Sequence, residues 1–187
     1  VYENIFHKGK WVGIFQFTEN GAQTFAKQVK PRSIIDISAI TSIYRPGPLS
    51  AGVDREFVEA HNSPENVKYI NDLVQEVTEE THGFLIFQEQ IAMLAHKLGR
   101  NLTLDEGNLL RKVLTKKGTG KGHEVKDAIH EKFVLGCQDK GMPLYQAEEL
   151  WKTFEYFSGY GFNKSHAVSY SITVSYTHLT LPTSSQV

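Results

Sequence analysis

Three groups of residues have the types and spacing to hold phosphate. Arg111, Lys112, Lys116, Lys117 and Lys121 follow one another with no acid among them. Cations at that density attract phosphate, and Gly118, Gly120 and Gly122 allow a close backbone approach. Tyr160-Gly161-Phe162-Asn163-Lys164-Ser165-His166 puts an aromatic, an amide, an ammonium, a hydroxyl and an imidazole at a predicted helix start. Such a start offers unpaired N–H groups and a partial positive charge. Lys164 and His166 add donors, and Tyr160 or Phe162 can stack on a base. Arg45, in Arg45-Pro46-Gly47-Pro48, sits on a stiff turn that can aim a guanidinium at phosphate. Each group also has a plainer reading: a solvated basic loop, a helix cap beside a core aromatic, and a surface arginine beside a helix stop.

Other chemistries find less support. Gly118 to Gly122 is not a nucleotide-binding P-loop, because Thr115 stands where the pattern needs its first glycine and Gly122 where it needs Ser or Thr. The eight histidines make no metal-ligand spacing with Cys or acid partners, so His82, His96, His123 and His130 are read as surface or satisfied residues and no metal site is assigned. Gln88 and Glu89 open an apolar helix, where Glu89 serves the helix dipole rather than acid catalysis. No Asp-x-Asp pair occurs, and no catalytic residue is assigned.

The net charge of −1 gives no global case for nucleic-acid binding, so any case rests on where the cations sit. The single cysteine, Cys137, excludes an internal disulfide and fits a reducing cytoplasm. No run of about 18 apolar residues reads as a membrane span, and Val1 to Lys10 lacks an apolar signal region. The absence of an initiator Met predicts a start inside a longer protein.

The elements that must position these groups are helical. Thr18 is expected to cap a helix to about Val29, and Ser33 with Asp36 has the spacing of a capping box ahead of the stripe Ile37, Ile40, Ile43 and Tyr44. Pro46 is expected to end that helix in a turn. Helices follow from Ser50 to about Ala60 and from Asn71 to Glu80. Phe84 to Phe87 fits a short strand or a helix entry, and Phe87 to Leu98 carries a helical face stopped at Gly99. Thr103 and Glu106 make a second capping box. Lys116 to Gly122 reads as a mobile loop. Val125, Ile129, Phe133 and Cys137 recur every fourth residue, Pro143 suits a first helical turn, and Leu144 to Phe154 is amphipathic. Ser165 can cap a last helix. The sum is a mainly α fold of about eight helices around one core.

Five segments together resemble the C-family bacterial DNA polymerase III alpha subunit. They are Gly13 to Phe17, Tyr44 to Leu49, Gly83 to Gln90, Leu109 to Lys112 with Lys116-Lys117, and Gly159 to His166, in the family's order over about Trp11 to Tyr176. The resemblance implies a helical fingers region with a small palm-derived N-terminal piece: residues 1–30 at the palm–fingers junction and 31–176 as fingers. It implies binding of the incoming deoxynucleoside triphosphate and of primer-template DNA in a DNA-directed DNA polymerase. The matching site positions are Arg111, Lys112, Lys116, Lys117, Asn163, Lys164, Ser165 and His166, beside Arg45 and Tyr160. Three palm aspartates of the family hold two Mg²⁺ ions, and the missing Asp-x-Asp pair agrees with a region that follows them, so the chain by itself is expected to be inactive. The implied partners are the rest of the polymerase chain and other replisome subunits in the cytoplasm, with no membrane. Residues 177–187 depart from the family and are expected to be disordered or non-native. The competing readings are a stand-alone helical nucleic-acid-binding module and a helical scaffold.

Overall fold

The computed structural model describes residues 1–115, 120–159 and 161–180. Its α-helices are α1 (Asn20–Val29), α2 (Ile34–Ile43), α3 (Pro46–Ser50), α4 (Val53–Asn62), α5 (Asp72–Thr78), α6 (Gln88–Leu98), α7 (Leu104–Thr115), α8 (Gly120–Asp139), α9 (Leu144–Ser158) and α10 (Lys164–Thr180). A π-helical turn covers Tyr2–Phe6, and single 3-10 turns cover Pro64–Asn66 and Glu79–Thr81. No strand occurs among the described residues. The mainly α expectation holds, with ten α-helices among the described residues where about eight are read from the sequence.

The chain divides into two compact units, where the sequence predicts one core. The first comprises residues 1–67 and the described part of 162–187; the second comprises residues 68–161. Within the first unit α1 packs with α2 and α4.

In the first unit α2 is the central helix. Its capping box is formed: Ser33 Oγ accepts from the Asp36 N–H at 3.1 Å, and the Asp36 carboxylate accepts from the Ser33 N–H at 3.0 Å. Every residue from Asp36 to Ile40 is buried, as befits a helix covered on all sides. Its main partner is α10. Small residues line that seam, where the Ser38 and Ser171 hydroxyls lie 2.8 Å apart and each also reaches the carbonyl four residues back. Both buried hydroxyls are thereby satisfied. Near the N-terminus, the Phe6 ring meets Trp11 and Phe17 edge-on at 5.6 and 5.2 Å.

The second unit has an apolar core in which Leu94, Leu98, Leu110, Phe133, Cys137 and Phe154 are fully buried. The four-residue stripe Ile129, Phe133, Cys137 is the inner face of α8, with Val125 packed at its margin. Phe133 touches Trp151 and Phe154 of α9 at ring distances of 5.5 and 5.2 Å. Helices α6 and α7 approach closely at Gly107, where any side chain would run into the Ala92 carbonyl. The Cys137 thiol is pushed up to about 12 by burial, which removes it as a nucleophile near neutral pH.

Several local expectations are met. A helix stands where one is expected after Asn71, whose side chain accepts from the Val74 N–H at 2.9 Å, and Thr103 and Glu106 form their capping box at the head of α7. The apolar run Phe84 to Phe87 is an extended lead-in to α6, not a strand. It is tied down by Gln90 Oε1, which accepts from the Ile86 and Phe87 N–H groups at 3.0 and 2.9 Å.

Others are corrected. The first long helix starts at Asn20 behind Glu19, with no side-chain cap from Thr18. Pro46 opens α3 instead of closing α2, because its fixed φ suits a first helical position and forces only Arg45 into the extended region. Gly120 and Gly122 belong to α8 and not to a loop, while residues 116–119 lie outside the described residues. Pro143 is the N-cap of α9 and not part of its first turn. The backbone of α10 runs past Tyr176 to Thr180: no breaker intervenes before Pro182, and extending an existing helix is far easier than nucleating one. Residues 181–187 of the expected disordered tail lie outside the described residues.

Candidate functional site

Two arginines anchor two sets of contacts, one in each unit. In the first unit Arg45 is the N-cap residue of α3, with φ −146° and ψ 153°, the extended conformation that a following proline imposes. Its Nε donates to the Ser42 carbonyl at 2.7 Å, and its guanidinium carbon stands 4.8 Å from the centre of the Phe162 ring. Burial lowers the guanidinium from its ordinary value, and it remains a cation at neutral pH.

His166 and Tyr170 are spaced by four and share one face of α10, and Phe162 lies just before its cap. Their rings follow one another at 5.5 and 4.2 Å, and Tyr170 stacks on Phe15 at 5.6 Å with 29° between the planes. Arg45, Phe162, His166, Tyr170 and Phe15 thus form one continuous row ending on exposed Phe15.

The helix start beside that row is capped by Asn163, not by Ser165. Asn163 Oδ1 accepts from the His166 N–H at 2.9 Å and from Ser165 Oγ at 2.7 Å. An Asx side chain at N-cap reaches the N3 amide, whereas a Ser already inside the first turn cannot. Asn163 and Ser165 therefore shape the turn that presents Lys164, partly buried at the first helical position, and His166, which is exposed.

In the second unit Arg111 lies on α7 and donates from Nη1 to Gln88 Oε1 at 3.0 Å. The other end of that amide, Gln88 Nε2, donates to the Gly161 carbonyl at 3.1 Å. Gly161 is in tight contact here, since a Cβ on it would stand 3.0 Å from Gln88 Cγ. Lys112, the next residue after Arg111, is exposed. Lys116, Lys117 and Tyr160 lie outside the described residues.

The structure thus sets Arg45 and His166 each against Phe162, and brings Asn163 together with Ser165 and His166. Arg111 is joined to Gln88. The sequence reading missed Phe15 and Tyr170 as parts of the aromatic row, and Gln88 as the partner of Arg111. The four-residue spacing from Phe162 through His166 to Tyr170 is a legible signal for the second of these. Nothing local signals Phe15 or the Gln88–Arg111 pair, which tertiary packing creates.

The chain matches the model of the bacterial DNA polymerase III alpha subunit finger domain over residues 1–141. It is 34% identical over 166 residues to the DNA polymerase III subunit alpha of Aquifex aeolicus, covering 89% of this chain and 14% of that protein. The chain belongs to the finger-domain family of the bacterial DNA polymerase III alpha subunit. The subunits of Chlamydia muridarum and Bacillus subtilis are each 34% identical to it, over 93% and 90% of the chain. It spans 13–14% of the length of these three relatives. The match to the finger domain begins at residue 1. It also crosses from the first unit into the second, so finger-domain sequence contributes to both. No helix among the described residues is long and apolar enough to cross a membrane.

Proposed function

We propose that this chain is the part of a replicative DNA-directed DNA polymerase that holds the incoming deoxynucleoside triphosphate and the template DNA. The observation that carries the reading is the pair of anchored arginines in a chain of the finger-domain family: Arg45 over an aromatic ring and Arg111 on an amide. In nucleotidyl transfer the primer hydroxyl oxygen bonds to the α-phosphorus as the bond to the leaving pyrophosphate breaks. Negative charge then builds on pyrophosphate, and cations already in place stabilise it without reorganising. Arg111, Lys112, Lys116 and Lys117 face the triphosphate or template phosphates in this reading. Lys164 and His166 bind at the head of α10, whose N-terminal dipole favours an anion. Tyr160 and the aromatic row offer faces on which a base can stack.

The family resemblance implies two Mg²⁺ ions held by aspartates. The three motifs do not fit such an ion, because no Asp or Glu stands in Arg45–Pro48, Arg111–Lys121 or Tyr160–His166, and Mg²⁺ takes oxygen ligands, carboxylates above all. No step is derived through it. The whole polymerase acts in the cytoplasm with primer-template DNA and other replisome subunits. The stand-alone module gives way to this reading because the matched family is a domain of a polymerase subunit.

Titration of labelled primer-template DNA into the 187-residue chain at several salt concentrations tests the reading. The expected result is weak binding that falls steeply with salt, with a log–log slope of about −0.9 for each duplex phosphate held. Affinity independent of salt would overturn phosphate contact. The same preparation, supplied with Mg²⁺ and nucleotides, is expected not to extend a primer.

A further inference from the structure

We propose that Gln88 is a positioning residue that fixes Arg111 for phosphate, acting as a strut between Arg111 and the Gly161 carbonyl. The inference rests on the phosphate-holding reading of Arg111 and adds a residue that reading does not assign. A glutamine amide has an accepting end and a donating end, and the two neighbours here leave one orientation. The oxygen must face the Arg111 N–H at 3.0 Å, and the nitrogen must face the Gly161 carbonyl at 3.1 Å. Reversing the amide would set an N–H against a guanidinium N–H and an oxygen against a carbonyl, losing both bonds. The glutamine is further held from behind, because Gln88 opens α6 and its Cγ lies against Gly161, with 3.0 Å to where a Cβ would be.

An arginine side chain carries about 2 kcal/mol of rotamer entropy. An arginine already docked on an acceptor loses less of that freedom on meeting phosphate. A carboxylate in the same place would hold the guanidinium and cancel the charge that phosphate needs. The neutral amide holds it without that cost, and this distinguishes Gln88 from an ordinary ion-pair partner.

Inorganic tripolyphosphate is the probe, titrated into the 187-residue chain and its variants by calorimetry, with a thermal melt of each. Gln88→Met, which keeps the chain length and removes both polar ends, should weaken tripolyphosphate binding about five- to tenfold. Arg111→Ala should weaken it at least as much. The double variant should bind no worse than Arg111→Ala alone, because a positioning residue has nothing left to position. A merely structural glutamine would instead weaken binding by the same factor in both backgrounds. Gly161→Ala disturbs the strut from its other end and should weaken binding in the same direction, so the claim stays open to refutation if Gln88→Met does not fold. Loss with Arg111→Ala but not with Gln88→Met or Gly161→Ala would overturn the strut and leave the phosphate reading standing. Additive losses in the double variant would do the same. No loss with Arg111→Ala would overturn the phosphate reading, and the strut with it.

Discussion

Arg45 in the first unit is held by a carbonyl 2.7 Å from its Nε and by the face of Phe162, whereas Arg111 in the second is held end-on by an amide 3.0 Å from Nη1. The first arrangement hides part of the guanidinium against an apolar ring and lowers its pKa through desolvation. The second spends one donor on a neutral acceptor. The two modes teach different lessons about the neighbouring backbone. Arg45 depends on where α10 begins, since Phe162 is the residue just before the cap. Arg111 depends on the first residue of α6 and on a glycine carbonyl. The two units also offer different contacts: the α2–α10 seam of the first pairs two serine hydroxyls, while the α8–α9 contact of the second is made by aromatic side chains.

The largest expected effect tests that last contrast. Phe133→Ala removes a fully buried ring that touches Trp151 and Phe154, and should cost about 3–5 kcal/mol by denaturant unfolding. Replacing both Ser38 and Ser171 by Ala removes two hydroxyls that satisfy each other, and should change stability by less than about 1.5 kcal/mol. A serine pair that matched Phe133 in cost would erase the distinction between a polar seam and an apolar core.

The hold on Arg45 comes next. Phe162→Leu keeps an apolar side chain and removes the ring face, so its coupling to Arg45→Met in a double-mutant cycle should be about 0.5–2 kcal/mol. Purely additive melts would mean that the ring does not hold the arginine.

Asn163→Ala should then cost about 1 kcal/mol, read by thermal melting, because the His166 N–H loses its acceptor. Asn163→Asp should recover most of it, while Ser165→Ala should cost less than Asn163→Ala. A larger loss at Ser165 would return the cap to the residue that the sequence reading favoured.

Much of this architecture was legible because it is local. The capping boxes at Ser33 and Thr103 and the α8 stripe follow from hydrogen-bond reach and helical period, which spacing encodes directly. The order of the five family segments carried the assignment to the finger-domain family. What spacing does not encode is which unit a helix joins. The described residues from 162 onward group with α2 in the first unit, whereas the sequence predicts one core. Pro46 was misread because a proline closes one helix and opens the next with equal ease, and only the φ and ψ of Arg45 separate the two. Within the site, Arg111 and His166 were legible as charged groups in motifs. Gln88 was not, since its role exists only when α6, α7 and Gly161 meet.

The smallest expected effect concerns acid, and it belongs to the second unit. Asp139 accepts from Arg100 Nε at 2.6 Å, and Glu106 accepts from Lys132 Nζ at 2.6 Å and from the Thr103 backbone at 2.9 Å. The hydrogen bond from Arg100 is the main cause that lowers Asp139 from its ordinary 3.8, and the one from Lys132 is the main cause that lowers Glu106 from its ordinary 4.5. A carboxylate lowered in the folded state stabilises the fold above its unfolded value, where both states are ionised and only the folded one has the partner. That contribution declines as pH falls through 4.5 for Glu106 and 3.8 for Asp139, and is gone once pH passes below the lowered folded values. Both pairs are solvent-exposed, so salt screens them and their share of stability is small. Melts of the wild type between pH 6 and pH 2.5 should therefore lose stability on the acid side, in part through these pairs. Arg100→Met should flatten the part below pH 3.8 and leave the Glu106 part in place. A variant profile parallel to the wild type throughout would mean that the Arg100–Asp139 pair contributes nothing to the acid-side loss.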